Sequence, residues 1–148
     1  MGLGGAFESL MATALARQPS DQDPVYFNQP GVALVTWNRD LRAACLESQG
    51  WADARESQAA LDAVIRALRA HRGSRCLVDN RKKAIRAADQ AWITENWLPR
   101  ALGAGLRLTA IVEPESGPAT MTIMEVEVRY FSTVVRAAEW LTDPPAAA

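Results

Sequence analysis

The sequence is poor in the residues on which most catalytic and metal sites depend. It has one histidine, His71, and two cysteines, Cys45 and Cys76, which lie far apart and outside any Cys-x-x-Cys pattern. Both cysteines stand in apolar stretches, so we expect reduced, buried thiols and a cytoplasmic location. A Ser-His-Asp triad or a zinc site would have to use His71, which stands where a cation commonly complements a helix C-terminus. We therefore expect no enzyme: no catalytic residue, metal or cofactor.

The chain also lacks an excess of either charge and lacks long apolar runs. Its 16 basic and 17 acidic residues give a net charge of −1, which leaves no strong field to attract nucleic acid or an anionic membrane. No stretch reaches the roughly 18 apolar residues of a membrane helix. The first 17 residues carry Glu8 and no basic leader, which argues against a secretory signal. We expect no nucleic-acid partner and no membrane span.

What the chain does have is material for one folded domain. It has 148 residues, and 49% of them are hydrophobic, enough for a real core. Residues 1–24 are predicted to be a flexible tail, although the spacing of apolar residues over 7–15 would suit a short helix before a proline-rich linker. Residues 25–141 form the predicted domain, and 142–148 a disordered C-terminal tail.

The domain is predicted to open with an antiparallel meander. Stretches 25–27, 32–37 and 42–48 are rich in strand-forming residues, and turn signals separate them.

Helices and strands are then predicted to alternate. Asp53 and Glu56 have capping-box spacing before a helix to His71, and a buried strand follows at 76–78. Asp89 is predicted to cap a helix to residue 101, bent by Pro99, before a strand over 106–112. We then expect a helix over 119–127, a strand over 128–131 and a last helix capped by Ser132. The order β-β-β-α-β-α-β-α-β-α predicts an α/β fold with a mixed sheet and about four helices.

Several local segments over about residues 25–141 resemble the STAS superfamily, in particular its SpoIIAA-like (STAS/SEC14) members. The segments that carry the resemblance are Leu77-Val78-Asp79-Asn80-Arg81, Asp89-Gln90-Ala91-Trp92-Ile93, Trp97-Leu98-Pro99-Arg100, Ala110-Ile111-Val112 with Pro114, Arg129-Tyr130-Phe131 and Ala137-Ala138-Glu139-Trp140-Leu141. The resemblance implies a bacterial, cytoplasmic binding or regulatory module, and not an enzyme.

The chain departs from that family at its regulatory switch. The anti-sigma-factor antagonists among the STAS proteins are switched by phosphorylation of a serine at the start of the second helix. Here the corresponding stretch, residues 86–90, is Arg-Ala-Ala-Asp-Gln, and no Ser or Thr occurs between Ser74 and Thr94. We therefore expect no phosphorylation switch of that kind.

The strand that ends at Asp79 carries the first group of candidate site residues. Asp79, Asn80, Arg81 and Asp89 are predicted to lie at the carboxyl ends of parallel strands, where open α/β sheets bind ligands. They would hold a partner's backbone or a small polar ligand. The alternative is structural: Asp79 and Asn80 tie down their loop, and Asp89 only caps a helix.

The following helix carries the second group. Trp92 and Trp97 are about 140° apart on an ideal helix, so both cannot face the core, and Arg100 follows them. A tryptophan at a rim is typical of an interface. The domain would then bind a protein through the surface from Asp79 to Arg100, with a homodimer left open. As an alternative, it would carry or sense a small hydrophobic ligand between helices and sheet.

Overall fold

The structure is a computed structural model that describes residues 23–50, 52–82, 87–113 and 119–142. Most of the two predicted tails, residues 1–22 and 143–148, lies outside the described residues. Asp23 and Pro24 belong to the fold and not to a tail: Asp23 is 8% exposed and accepts a hydrogen bond from the Arg39 backbone N–H, and the Pro24 carbonyl accepts one from Trp37. Thr142, at the other end, belongs to the last helix.

Seven strands form one mixed sheet. They are β1 (Val25–Gln29), β2 (Ala33–Asn38), β3 (Ala43–Ser48), β4 (Arg75–Asp79), β5 (Leu108–Val112), β6 (Ala119–Ile123) and β7 (Val126–Phe131). Their spatial order is β1-β2-β3-β4-β5-β7-β6. The pairs among β3, β4, β5 and β7 are parallel, and β1, β2 and β6 add antiparallel strands at the two sides. The predicted meander and mixed sheet are confirmed.

Three helical segments pack on the sheet in the described ranges. Helix α1 is Ala54–His71. Helix α2 is α-helical over Ala87–Trp92, widens to a π-turn over Ile93–Trp97 and is α-helical again over Leu98–Gly103. Helix α3 is Val134–Thr142.

The helices divide the core into two layers. Apolar residues of α1 and α2, such as Leu68 and Trp97, pack with Val35 of β2 on one face of the sheet. Residues of α3, such as Trp140 and Leu141, pack with Leu77 of β4 on the other face. Because both crossovers, β3-α1-β4 and β4-α2-β5, move in the same direction along the sheet, right-handed connections place α1 and α2 on one side.

The predicted helix over 119–127 is wrong. The segment forms β6 and the turn into β7, with Ile123 paired to Val126 across the hairpin. Apolar and polar residues alternate over 119–123 with a period of two. The pairing of these residues with β7 outweighs the helical propensity of the segment. The expected four helices therefore become three in the described ranges, and a seventh strand replaces the fourth helix.

Helix starts were predicted unequally well. The capping box of α1 is present: the Asp53 side chain accepts from the Glu56 N–H, and the Glu56 side chain accepts from the Asp53 N–H. Asp89 is not a cap, because α2 already begins at Ala87. For α3, the Thr133 hydroxyl and not Ser132 accepts from the N–H of the first turn, at Arg136.

Pro99 affects α2 differently from the prediction. The helix continues past it to Gly103, and the π-turn lies immediately before it. Proline has no N–H to close an α-helical bond with the carbonyl four residues earlier and its ring crowds that carbonyl, so a wider turn accommodates it.

Candidate functional site

Asp79 lies buried at the carboxyl end of β4 and is fully engaged by one neighbour. Its side chain accepts from the Arg81 backbone N–H at 3.1 Å and from the Arg81 guanidinium at 2.9 and 2.7 Å. The hydrogen bonds that the guanidinium donates to this carboxylate raise the pKa of Arg81. The two residues close a tight loop directly after the strand, so the carboxylate is not free to bind a ligand.

Asn80 connects three parallel strands at the same edge of the sheet. Its side-chain oxygen accepts from the Ser48 hydroxyl at 3.0 Å, and its backbone N–H donates to the Val112 carbonyl at 2.9 Å. Ser48 ends β3 and Val112 ends β5, so Asn80 holds the ends of β3, β4 and β5 together. Asn80 is 5% exposed, which fits a structural role in this loop.

A small apolar cavity lies beside Asn80, between the sheet and helices α1 and α2. Its volume is about 50 Å³, and its lining is apolar apart from Ser48, Ser57 and Asn80. Ile93 of the π-turn forms part of the wall. The cavity stands where the sequence predicted a hydrophobic ligand, but it has room for only a few atoms.

The two tryptophans of α2 differ in exposure: Trp97 is buried and Trp92 lies at the surface. Trp97 is 4% exposed and donates from its indole N–H to the Leu61 carbonyl at 2.7 Å, so it anchors α2 on α1. Trp92 is partly exposed, and the Arg100 guanidinium lies over its ring at 5.8 Å from the centroid. Arg100 also forms an ion pair with Asp62 of α1 at 2.8 Å and binds the Asn96 side chain.

The predicted site residues thus form two separate groups. Asp79, Asn80 and Arg81 interact around the end of β4, and Trp92, Trp97 and Arg100 lie along α2. No hydrogen bond or ion pair in the described ranges joins the two groups, although the small cavity lies between Asn80 and α2. Asp89 is in the first turn of α2, and its side chain lies outside the described residues.

The opposite edge of the sheet holds a larger, strongly cationic cavity that the sequence did not reveal. Its volume is about 360 Å³, and Arg39, Arg42, Arg72 and Arg75 line it together with Trp37. Two of these arginines lie in the turn between β2 and β3, and the other two lie about 30 residues later, around the start of β4, so the sequence shows them only as scattered single cations. The one weak sequence signal for the cavity is that each of the two segments carries a pair of arginines three residues apart.

The only histidine belongs to this edge. His71 Nε2 and the Tyr26 hydroxyl are 2.9 Å apart, and the His71 ring stacks on Trp37 with centroids 4.5 Å apart and planes 3° from parallel. The histidine is therefore engaged on one nitrogen and one ring face.

Comparison with known proteins adds no identity. No protein-family model matches the chain, and no curated protein or solved structure is significantly similar to it. Function has to be inferred from this chain's own residues.

The described residues offer binding surfaces more readily than reactive groups. Cys76 is buried as predicted, whereas Cys45 is partly exposed. Loss of hydration raises the pKa of the Cys45 thiol to about 12 and raises that of Cys76 as well, so both thiols stay protonated near neutral pH. Within the described ranges, no cluster of three His, Cys, Asp or Glu side chains could hold a metal ion. In the same ranges no helix is long and apolar enough to cross a membrane.

Proposed function

We propose that the chain is a non-enzymatic regulatory module of the STAS/SpoIIAA-like kind that binds a protein partner. The resemblance over about residues 25–141 supports the proposal, and so does a mixed sheet whose parallel centre carries two helices on one face. A cytoplasmic, bacterial setting comes with that resemblance. The binding surface that we propose is the outer side of α2, formed by Trp92, Asn96 and Arg100 with Asp62 of α1.

The arrangement of Trp92 and Arg100 is the observation that carries the proposal. Tryptophan and arginine are the residues most enriched among the strongest contributors to protein interfaces. Here both are accessible and adjacent, and Arg100 is held in place by Asp62 and Asn96. Side chains already fixed in position lose little conformational entropy when a partner binds.

In this proposal the loop after β4 has a structural role and is not part of the binding surface. Asp79 and Asn80 spend their hydrogen bonds on Arg81, Ser48 and the backbone of the strands. Asp79 and Asn80 therefore hold their own loop in place, which is the second of the two roles that the sequence left open for them. Regulation would come from expression level, a ligand or the partner, because the stretch that carries the antagonists' phosphorylated serine has no hydroxyl here.

The alternative, a carrier of a hydrophobic ligand, is favoured by the position of the small cavity and opposed by its size. About 50 Å³ holds about one or two water molecules, whereas ligand pockets measure roughly 300–1,000 Å³. Native mass spectrometry of freshly purified protein separates the two functions, since a co-purifying small molecule would support the carrier.

The test compares capture of partners by three forms of the full-length protein. Wild type, Trp92→Ala and Met121→Ala would be immobilised, exposed to lysate of the source organism and analysed by quantitative mass spectrometry. Met121 is the control because it is a large apolar side chain, 41% exposed, on the distant strand β6. We expect one protein to be enriched by wild type and Met121→Ala and lost with Trp92→Ala.

The captured protein would then be purified and its Kd measured against wild type, Trp92→Ala and Arg100→Ala. Loss of a central interface tryptophan weakens binding by at least about tenfold. Equal affinity of all three forms would show that the outer side of α2 is not the binding surface. Thermal unfolding of each variant distinguishes a lost contact from a lost fold.

A further inference from the structure

The amino ends of the parallel strands surround the cationic cavity of about 360 Å³. Arg39 and Arg42 come from the turn between β2 and β3, Arg72 comes from the loop between α1 and β4, and Arg75 is the first residue of β4. The cavity is at the opposite end of the strands from the loop at Asp79, and it shares no lining residue with the proposed protein-binding surface on α2 and Asp62.

The lining of this cavity is basic, and the nearby Asp23 carboxylate accepts from the Arg39 backbone N–H without being part of the wall. Four of the chain's 16 basic residues line it, and no acidic side chain is among the described residues of its wall. Arg81, Arg100 and Arg129 each have a carboxylate partner within 4 Å. Within the described part of the chain, Arg39, Arg42 and Arg72 are exposed and form no such ion pair. Like charges gathered without counter-charges favour an anion from outside the chain.

Two of these arginines occupy backbone positions that suit other residues better. Arg42 has φ 53° and Arg72 has φ 51°, both in the left-handed region. Glycine and asparagine are preferred there, and a left-handed residue after a helix, as at Arg72, is usually glycine. Both exceptions direct an arginine to the same cavity. Two of the four non-glycine residues with positive φ in the described ranges therefore line this cavity, and the other two form the turn between β6 and β7.

The floor of the cavity is rigid. Gly73 packs against the Trp37 ring so closely that a Cβ would lie 2.5 Å from it. His71 stacks on the same ring and is fixed by the Tyr26 hydroxyl, and Arg75 donates to the Leu41 carbonyl at 3.4 Å. These contacts fix the floor of the cavity and the Arg75 side chain, whereas Arg39, Arg42 and Arg72 are exposed at its rim.

The dipole of α1 explains only part of the cluster. Cations near a helix C-terminus are stabilised by its carbonyl groups, which accounts for Arg72 and for Arg69 in the last turn. Arg39 and Arg42 belong to a different turn and lie outside that helix.

We propose that this cavity binds a small phosphorylated metabolite, with its phosphate held by the guanidinium groups. Guanidinium forks match the oxygens of a phosphate better than any other side chain does. The volume exceeds that of a bare phosphate and lies within the range of small-ligand pockets, so it has room for the body of a sugar or polyol phosphomonoester. The Ser74 hydroxyl, also in the wall, is available to that body.

The test measures binding of glycerol phosphate to the full-length protein by calorimetry, with inorganic phosphate as the second probe and ionic strength held constant with sodium chloride. The cavity variant is Arg39→Gln combined with Arg42→Gln. Its control is Arg55→Gln combined with Arg136→Gln, which removes the same charge from exposed positions on α1 and α3. We expect the cavity variant to bind at least about tenfold more weakly and the control to change by less than about twofold.

Arg72→Gly separates binding from folding. Glycine relieves the left-handed backbone, so the melting temperature should rise while glycerol phosphate binds more weakly. The proposal is overturned if wild type does not bind glycerol phosphate at millimolar concentration, or if cavity and control variants lose binding equally. Tighter binding of inorganic phosphate than of glycerol phosphate would overturn it too. Preferential binding of a heparin oligosaccharide or single-stranded RNA through the same arginines would show a polyanion surface instead.

Discussion

At the scale of single residues, Asp79 shows how a residue that looks functional in sequence is explained by its neighbours. A buried carboxylate after a central strand is typical of a ligand site in an α/β sheet. Here it binds the backbone and guanidinium of Arg81, two positions further on. Sequence alone could not choose between the two roles, because both place an acid at this position.

Asp79→Ala should lower the free energy of unfolding by about 1–3 kcal/mol, since the Arg81 N–H loses its acceptor in a partly buried loop. Arg81→Ala should cost less, about 0–1 kcal/mol, because half of the Arg81 side chain is exposed and the ion pair is screened by solvent. Urea denaturation measures both. A larger loss for Arg81→Ala than for Asp79→Ala would contradict this account of the loop.

Gly73 is a second residue whose importance only the structure reveals. Gly73→Ala should destabilise the protein by about 1–3 kcal/mol, because a Cβ would lie 2.5 Å from the Trp37 ring and either the ring or the loop must move. Gly103→Ala is the matched control, since no atom lies within 4 Å of its added Cβ at the end of α2. Thermal unfolding should show a clear loss for the first and almost no loss for the second.

At the scale of elements, the hairpin of β6 and β7 explains the one helix that was predicted wrongly. Met124 and Glu125 have φ 52° and 70°, as in the tight turns that match the twist of two-residue hairpins. Such turns normally contain Asn-Gly. Because this turn has Met-Glu instead, the sequence shows no turn signal for the hairpin. The alternation of Thr120, Thr122, Val126 and Val128 was the signal that could have revealed it.

Replacing the turn by Met124→Asn with Glu125→Gly should raise the free energy of unfolding by about 1 kcal/mol, because left-handed backbone is costly for ordinary residues. The control is Glu127→Gly, inside β7, which should lower it by about 0.5–1 kcal/mol. Chemical denaturation compares the three proteins. Destabilisation by the turn replacement would mean that the Met124 and Glu125 side chains contribute more than their backbone strain costs.

At the scale of the whole molecule, the two thiols make the free energy of unfolding depend on pH in the alkaline range. Their ordinary pKa is 9.0, and burial raises it to about 12 for Cys45 and higher for Cys76. Above pH 9 the unfolded chain loses these protons while the folded chain keeps them, so the free energy of unfolding should fall as pH rises from 9 to 11. Tyr130, whose pKa is raised by burial and by Glu113, adds to the fall above pH 10.

Urea denaturation at fixed pH between 7 and 11, with a reductant present, measures this slope. Cys45→Ala should make the slope between pH 9 and 11 shallower, because one of the protonated thiols is gone. An unchanged slope in that variant would show that other groups cause the alkaline loss. Below about pH 8 the two proteins should show the same dependence on pH, since the thiols stay protonated there in both the folded and the unfolded state.

Local sequence signals determined much of this fold on their own. The strand-rich stretches and turn signals of residues 25–48, the capping box at Asp53 and the apolar face of α1 predicted the meander and the first helix. These features depend on contacts between residues close together in the chain, so their physical causes are visible in the sequence.

Only the tertiary structure decided the rest, because the deciding contacts join distant residues. Strand pairing with β7 made residues 119–123 a strand, and packing on Leu61 assigned Trp97 to the core while leaving Trp92 at the surface. The cationic cavity depends on the same kind of contact, since Arg39 and Arg72 meet only when the β2–β3 turn and the end of α1 are brought to one edge of the sheet.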